Sequence, residues 1–264
     1  VMFIDWSGSM SGYMKETIEQ LINLSMFCSK VQIPFEVYSF NDHYRDWKDE
    51  DNDAYWKQNE RMPYDRTAMG NKVADYKKND MVVSTGFRLV NLFSSRMRRR
   101  ELNDAYRNFL LIAECYSSRY QHYYSSNQYY GCPNNFSLGG TPLDDTIVAA
   151  KSVIEEFKMK SRAQIVNAVF LTDGQSNRHA EYLDSNNVVQ RYGRGDAVHI
   201  DDSATRMRVY PSDVKSGRDG MTSMLLLALK KSLGINLLGF FLTSGGGGRR
   251  VSSNLSYIIN RYPT

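Results

Sequence analysis

An unbroken apolar run, Val1-Met2-Phe3-Ile4, passes directly into Asp5-Trp6-Ser7-Gly8-Ser9, and this junction constrains the fold more than any other stretch of the chain. A short run that is apolar at every position fits a parallel strand covered on both faces; a half-exposed strand would alternate. Asp5, Ser7 and Ser9 stand at alternate positions, so in extended chain their side chains lean to one side. They would lie at the carboxyl edge of the sheet, where open α/β folds bind ligands. One carboxylate and two hydroxyls make a hard-oxygen set suited to a small divalent cation such as Mg²⁺, which keeps several waters. An Asp followed by Ser and Gly is equally the chemistry of a plain turn or helix cap. Two later stretches weigh against the plain turn. Gly139-Gly140-Thr141-Pro142-Leu143 sets a Thr hydroxyl on a Gly-rich loop just before a proline suited to the first turn of a helix. Val166–Thr172 is a second apolar run, and it ends at Asp173-Gly174.

These pieces, Asp5-x-Ser7-x-Ser9, then Thr141 in Gly-Gly-Thr-Pro-Leu, then Asp173 in Leu-Thr-Asp-Gly, resemble the von Willebrand factor A family and its metal-ion-dependent adhesion site. The resemblance implies a doubly wound, mostly parallel α/β sheet flanked by helices, Rossmann-like in outline. It further implies that Asp5, Ser7, Ser9, Thr141 and Asp173 hold one divalent cation, Mg²⁺ or else Mn²⁺ or Ca²⁺. The wording around Thr141 and Asp173 is most similar to intracellular members, including chelatase subunits that work with AAA+ ATPases of the MoxR type. The implied function is metal-dependent binding of a protein partner that presents a carboxylate, with such an ATPase as the partner. An accessory role in inserting a metal into a tetrapyrrole is the alternative. The resemblance covers the strands and the helices that follow them and does not reach residues 43–135.

The remaining elements follow from periodicity. Met14, Ile18, Leu21, Ile22, Ser25 and Met26 recur at three-and-four spacing and predict a helix over Ser11–Ser29, a packing stripe and not a ligand box. Ile33–Phe40 reads as a strand, Asp80–Thr85 as a short one, and Phe87–Met97 and Leu102–Cys115 as helices. Leu143–Lys160 and Gly220–Leu233 are predicted helices, Ala163–Thr172 and Ile235–Thr243 strands, and Val251–Tyr262 a closing helix. The chain is expected to form a single domain over residues 1–264, with 43–135 as an insertion and decorated helical segment. From His43 to Asp80 the sequence turns densely charged, and Trp47, Tyr55, Trp56 and Tyr64 predict a segment folded on the body or on a partner. Gln175–Ser216 is polar and irregular and belongs to the same edge as the five oxygen-bearing residues; Asp201-Asp202 is a conceivable weak second cation site.

A hydrophobic share of 42% supplies a proper core and excludes global disorder. The net charge of +4 demands no polyanionic partner. Arg96, Arg98, Arg99 and Arg100, followed by the tyrosine-rich tract Tyr116–Tyr130, would be the nucleic-acid surface if one existed; a charged run at a helix boundary is more often a solvated face. Cys28, Cys115 and Cys132 are odd in number and far apart, which predicts inert thiols in a reducing, cytoplasmic setting. Zinc on Cys115, His122 and Cys132 lacks the paired-cysteine spacing such sites use. No signal peptide or membrane-spanning run is apparent, and a chain that opens inside a strand is expected to be part of something longer.

Catalysis is not the expectation. The Gly-x-Ser-x-Gly elbow is absent, since Met10 stands where the serine would follow Gly8, and there is no phosphate-binding Gly-x-x-x-x-Gly-Lys-Ser/Thr loop. A phosphatase using Asp5 as nucleophile would want a carboxylate where Ser7 stands.

Overall fold

The computed structural model describes residues 1–42, 78–83, 87–116, 132–133, 136–174, 176, 181–183, 189–191, 199–214 and 220–242. In chain order the elements are β1 (Met2–Asp5), α1 (Met14–Lys30), β2 (Glu36–Asp42), β3 (Met81–Val82), β4 (Phe87–Ser94), α2 (Arg99–Cys115) and α3 (Leu143–Ser161). They continue with β5 (Asn167–Thr172), β6 (Glu181–Leu183), β7 (Val189–Arg191), β8 (Ile200–Asp202), β9 (Met207–Val209), α4 (Gly220–Leu233) and β10 (Asn236–Phe241).

The central sheet has five strands in the order β10-β5-β1-β2-β4. Pairings β10–β5, β5–β1 and β1–β2 are parallel and β2–β4 is antiparallel, so the molecule is a mixed α/β fold with a mostly parallel sheet, compatible with a Rossmann-like arrangement. The chain leaves β1 toward β2 on one side and later fills β5 and β10 on the other. The crevice between β1 and β5 is therefore the topological switch point.

Strand alternation divides the core into two layers. Met2 and Ile4 of β1 face α1 and α2, where Met14, Ile18, Leu21, Phe109 and Ile112 meet them. Val1, Phe3, Ala168 and Phe170 face α3 and α4, against Ile147, Ile154, Leu225 and Leu229. Phe3 stacks on Phe170 at 4.8 Å between centroids, an aromatic pair that joins β1 to β5 within that layer. Both faces of β1 are thus covered, which is why its sequence carries no polar residue until Asp5.

A 3₁₀ turn over Gly8–Gly12 precedes α1 and buries Met10, so the helix begins at Met14, three residues beyond the predicted start. Ser25 belongs to the apolar stripe of α1 because its hydroxyl donates to the Leu21 carbonyl at 2.6 Å and leaves no polar atom to the core. α4 spans the predicted residues.

One predicted helix is a strand. The spacing of Leu89, Val90 and Phe93 predicts a helix over Phe87–Met97, but the segment forms β4, paired with β2 from Glu36↔Ser94 to Asp42↔Phe87. The register shifts between Val37 and Tyr38, which leaves Leu92 as the extra residue of a bulge. Leu92 and Phe93 consequently point into the same core layer, and Leu89, Leu92 and Phe93 acquire a helix-like spacing while lying in a strand. β4 and α2, both within the predicted insertion, are packed into the body: α2 lies on α1, and β4 closes one edge of the sheet. The irregular stretch after β5 also holds structure, with β6 pairing β3 and β7, and β8 pairing β9.

The predicted helix Val251–Tyr262, the aromatic segment from Trp47 to Tyr64, His122 and the tyrosines from Tyr120 to Tyr130 lie outside the described residues. Among the described residues no helix is long and apolar enough to cross a membrane.

Candidate functional site

Parallel pairing puts the ends of β1, β2 and β5 on one edge. Ile4 is the partner of Leu171, so the next residues along, Asp5 and Thr172, emerge side by side. Thr172 donates its hydroxyl to Asp5 Oδ2 at 2.6 Å and receives the Gly174 amide at 3.2 Å, which turns the chain after β5. Beyond this turn Asp173 accepts a 2.7 Å hydrogen bond on Oδ1 from the Ser9 hydroxyl, and Ser9 Oγ lies 3.0 Å from Ser7 Oγ.

The Thr141 loop is tied to the same place through its backbone. The Gly8 amide donates to the Gly139 carbonyl at 2.8 Å, and the Gly139 amide to the Trp6 carbonyl at 3.1 Å. The Gly140 amide donates to the Asp42 side chain at the end of β2. Gly139 is required by contact: a Cβ there would overlap the Asp42 carbonyl. Thr141 Oγ1 in turn faces Gly174. Asp5, Ser7, Ser9, Thr141 and Asp173 are therefore brought together at the switch-point crevice. Asp5, Ser7 and Thr141 are buried, Asp173 half-buried and Ser9 exposed.

Within this cluster Asp5 is fully buried, and its Oδ1 has no hydrogen-bond partner. Burial pushes its carboxyl up to about 7, helped by the neighbouring Asp173 carboxylate and opposed by the Thr172 hydrogen bond and the Ser7 dipoles. A carboxyl that keeps a proton near neutrality, beside hydroxyls and a second carboxylate, is a group whose charged form lacks a counter-charge. The donor set of carboxylate and hydroxyl oxygens is hard and suits Mg²⁺, Mn²⁺ or Ca²⁺ and not a soft metal. Among the described residues no three His, Cys, Asp or Glu side chains form a metal-ligating group; this cluster has two carboxylates and three hydroxyls.

Sequence reasoning missed Thr172. Its signal was its place as the last residue of β5, one step past the Ile4–Leu171 pair. It also missed the supporting role of Asp144, in the first turn of α3, which accepts a 2.5 Å hydrogen bond from Thr222 of α4 and joins the two helices behind the Thr141 loop.

Other candidates are bound elsewhere. Asp201 accepts from Arg208 Nη2 at 2.9 Å, and Asp202 pairs with Lys151 at 2.8 Å. Although burial pushes the Asp202 carboxyl upward, hydrogen bonds from Lys151, Ser232 and Thr205 hold it well below the usual carboxylate range. A second cation site on Asp201 and Asp202 is thus opposed by the cations already there. Arg96 pairs at 2.8 Å with buried Glu36, which removes one guanidinium from the predicted basic surface. Burial pushes the Cys132 thiol up to about 11, in keeping with an inert cysteine.

Compared with protein-family models, with curated proteins and with solved structures, the chain finds no match in any of the three.

Proposed function

We propose that this chain is a metal-dependent protein-interaction module of the von Willebrand factor A type, in which Asp5, Ser7, Ser9, Thr141 and Asp173 hold one divalent cation, Mg²⁺ first. The observation that carries the reading is Asp5 Oδ1, buried and without a partner, at the convergence of a second carboxylate and three hydroxyls. When bound, the cation supplies a positive coordination position that a partner's carboxylate can complete.

The chain's own residues prepare that position. Thr172 holds one oxygen of Asp5 and so fixes the plane of its carboxylate. Ser9 orients Asp173. The Gly139 and Gly140 amides, fastened to Trp6 and Asp42, hold the Thr141 loop against the serines. Asp173 and Asp5, which would give up its proton to the cation, are the acidic donors of the five, and the other three are neutral hydroxyls, so the set would leave the cation able to take a further oxygen ligand. The family resemblance names a MoxR-type AAA+ ATPase as the partner to try first.

Titration calorimetry with Mg²⁺ in chelator-free buffer tests the cation site, and thermal melting tests its link to the fold. Cation at about a hundred times its dissociation constant stabilises the chain by about 2.7 kcal/mol; Asp5→Ala removes both the heat and the shift. Interferometry against the ATPase then shows binding in Mg²⁺ and none in EDTA. A chain indifferent to Mg²⁺, Mn²⁺ and Ca²⁺ alike sinks the reading.

A further inference from the structure

Away from the oxygen cluster, α3 and α4 border a half-open cavity of about 920 Å³ together with β3, β6 and β8. Its floor is apolar: Ile147 and Val148 come from α3, Leu225 and Leu229 from α4. Met81 of β3 and Ile200 of β8 add apolar walls. The volume lies in the range of small-molecule sites, which are mostly apolar with a few placed polar groups.

The rim decides what kind of molecule fits. Lys151 is matched by Asp202 at 2.8 Å. Asp201 is matched by Arg208, and His199 Nε2 lies 3.3 Å from the same carboxylate. Asp80 and Tyr182 also have partners. Lys78, exposed on the turn that enters β3, has no ion pair among the described residues. A pocket with an apolar floor and a polar rim, in which Lys151 and Asp202 pair with each other, Asp201 pairs with Arg208, and the Lys78 ammonium stands at the exposed mouth, can take an apolar body bearing a single negative charge.

We propose that the cavity between α3 and α4 binds a small amphipathic monoanion, an aliphatic or aromatic body whose carboxylate, sulfonate or phosphate group meets Lys78. The site is separate from the Asp5 cluster and does not depend on the reading of that cluster.

The probe is 8-anilinonaphthalene-1-sulfonate, an aromatic body with one sulfonate, titrated against the whole chain and followed by its fluorescence. One saturable site per chain is expected. Decanoate displaces the probe and 1-decanol at the same concentration does not, which separates recognition of charge from plain hydrophobicity. Val148→Trp fills the half-buried floor and weakens the probe by about tenfold or more; Lys78→Glu, at an exposed turn that bears no core contact, weakens it by about threefold. Far-UV circular dichroism and the melting temperature show that each variant is folded, and the Lys78 variant carries the test if the tryptophan disturbs packing. Unsaturable binding, equal displacement by decanol, or probe affinity unchanged in folded Val148→Trp and Lys78→Glu overturns the proposal. So does loss of the probe in Phe240→Ser alone, because that moves the binding to the exposed apolar edge of β10.

Discussion

Glu36 and Asp5 are both buried carboxylates on adjacent parallel strands, one where β2 begins and the other where β1 ends. Glu36 is enclosed by donors: Asn91 at 2.6 Å, Ser94 at 3.0 Å and the Arg96 guanidinium at 2.8 Å. Asp5 has one well-formed hydrogen bond, from Thr172 on Oδ2, with weaker support from the Ser7 hydroxyl and amide and no cation beside it among the described residues; its Oδ1 meets no donor at full hydrogen-bond geometry. The same chemical group is neutralised within the chain at the amino edge of the sheet and left short of partners at the carboxyl edge. Since buried charge is retained where it is paired or where it binds something, the contrast separates a structural clamp from a binding position.

The largest expected effect concerns Asp5 and pH. Its folded carboxyl, at about 7, holds a proton that the unfolded chain releases near 3.8. The associated stability is full below pH 3.8 and is lost as pH rises through about 7. In EDTA, urea denaturation should therefore show wild type losing about 3 kcal/mol more than Asp5→Asn between pH 5 and pH 8. Equal slopes for the two proteins would erase the contrast with Glu36.

Next in size is Arg96→Ala, which leaves Glu36 buried with only neutral donors. A broken buried pair costs several kcal/mol, reduced here because Arg96 is half exposed, so about 2 kcal/mol is expected by urea denaturation at pH 7. Thr172→Val should cost about 1.5 kcal/mol in EDTA, by leaving the second Asp5 oxygen unpartnered, and should lower Mg²⁺ affinity in calorimetry. The smallest effect belongs to Ser94→Ala, about 1 kcal/mol, because Asn91 and Arg96 remain on Glu36. A Ser94 loss larger than that of Thr172 would reverse which of the two carboxylates is the better satisfied.

The parallel strands were legible because their covering on both faces leaves contiguous apolar runs, as at Val1–Ile4. The convergence of Ser7, Thr141 and Asp173 was legible only through motif wording, since contacts across such separations leave no periodic trace. β4 was misread because Leu92, extruded at the bulge, spoils the two-residue alternation begun by Phe87 and Leu89. The pairing of Asp201 with Arg208 and of Asp202 with Lys151 depends on a hairpin and on a helix distant in sequence, and two adjacent aspartates carry no mark of either. Thr172 needed the strand register, which a single sequence does not print.

Trp6 sits between Asp5 and Ser7, 1% exposed, with its indole nitrogen donating to the Tyr116 hydroxyl at 3.1 Å and to the Phe136 carbonyl at 3.0 Å. Only Trp47 and Trp56 share its chromophore. With those two replaced by phenylalanine, the tryptophan emission, excited selectively over tyrosine, would come from a single residue flanked on both sides by proposed ligands. The chain thus carries its own optical gauge of whatever happens at that edge, with no dye attached.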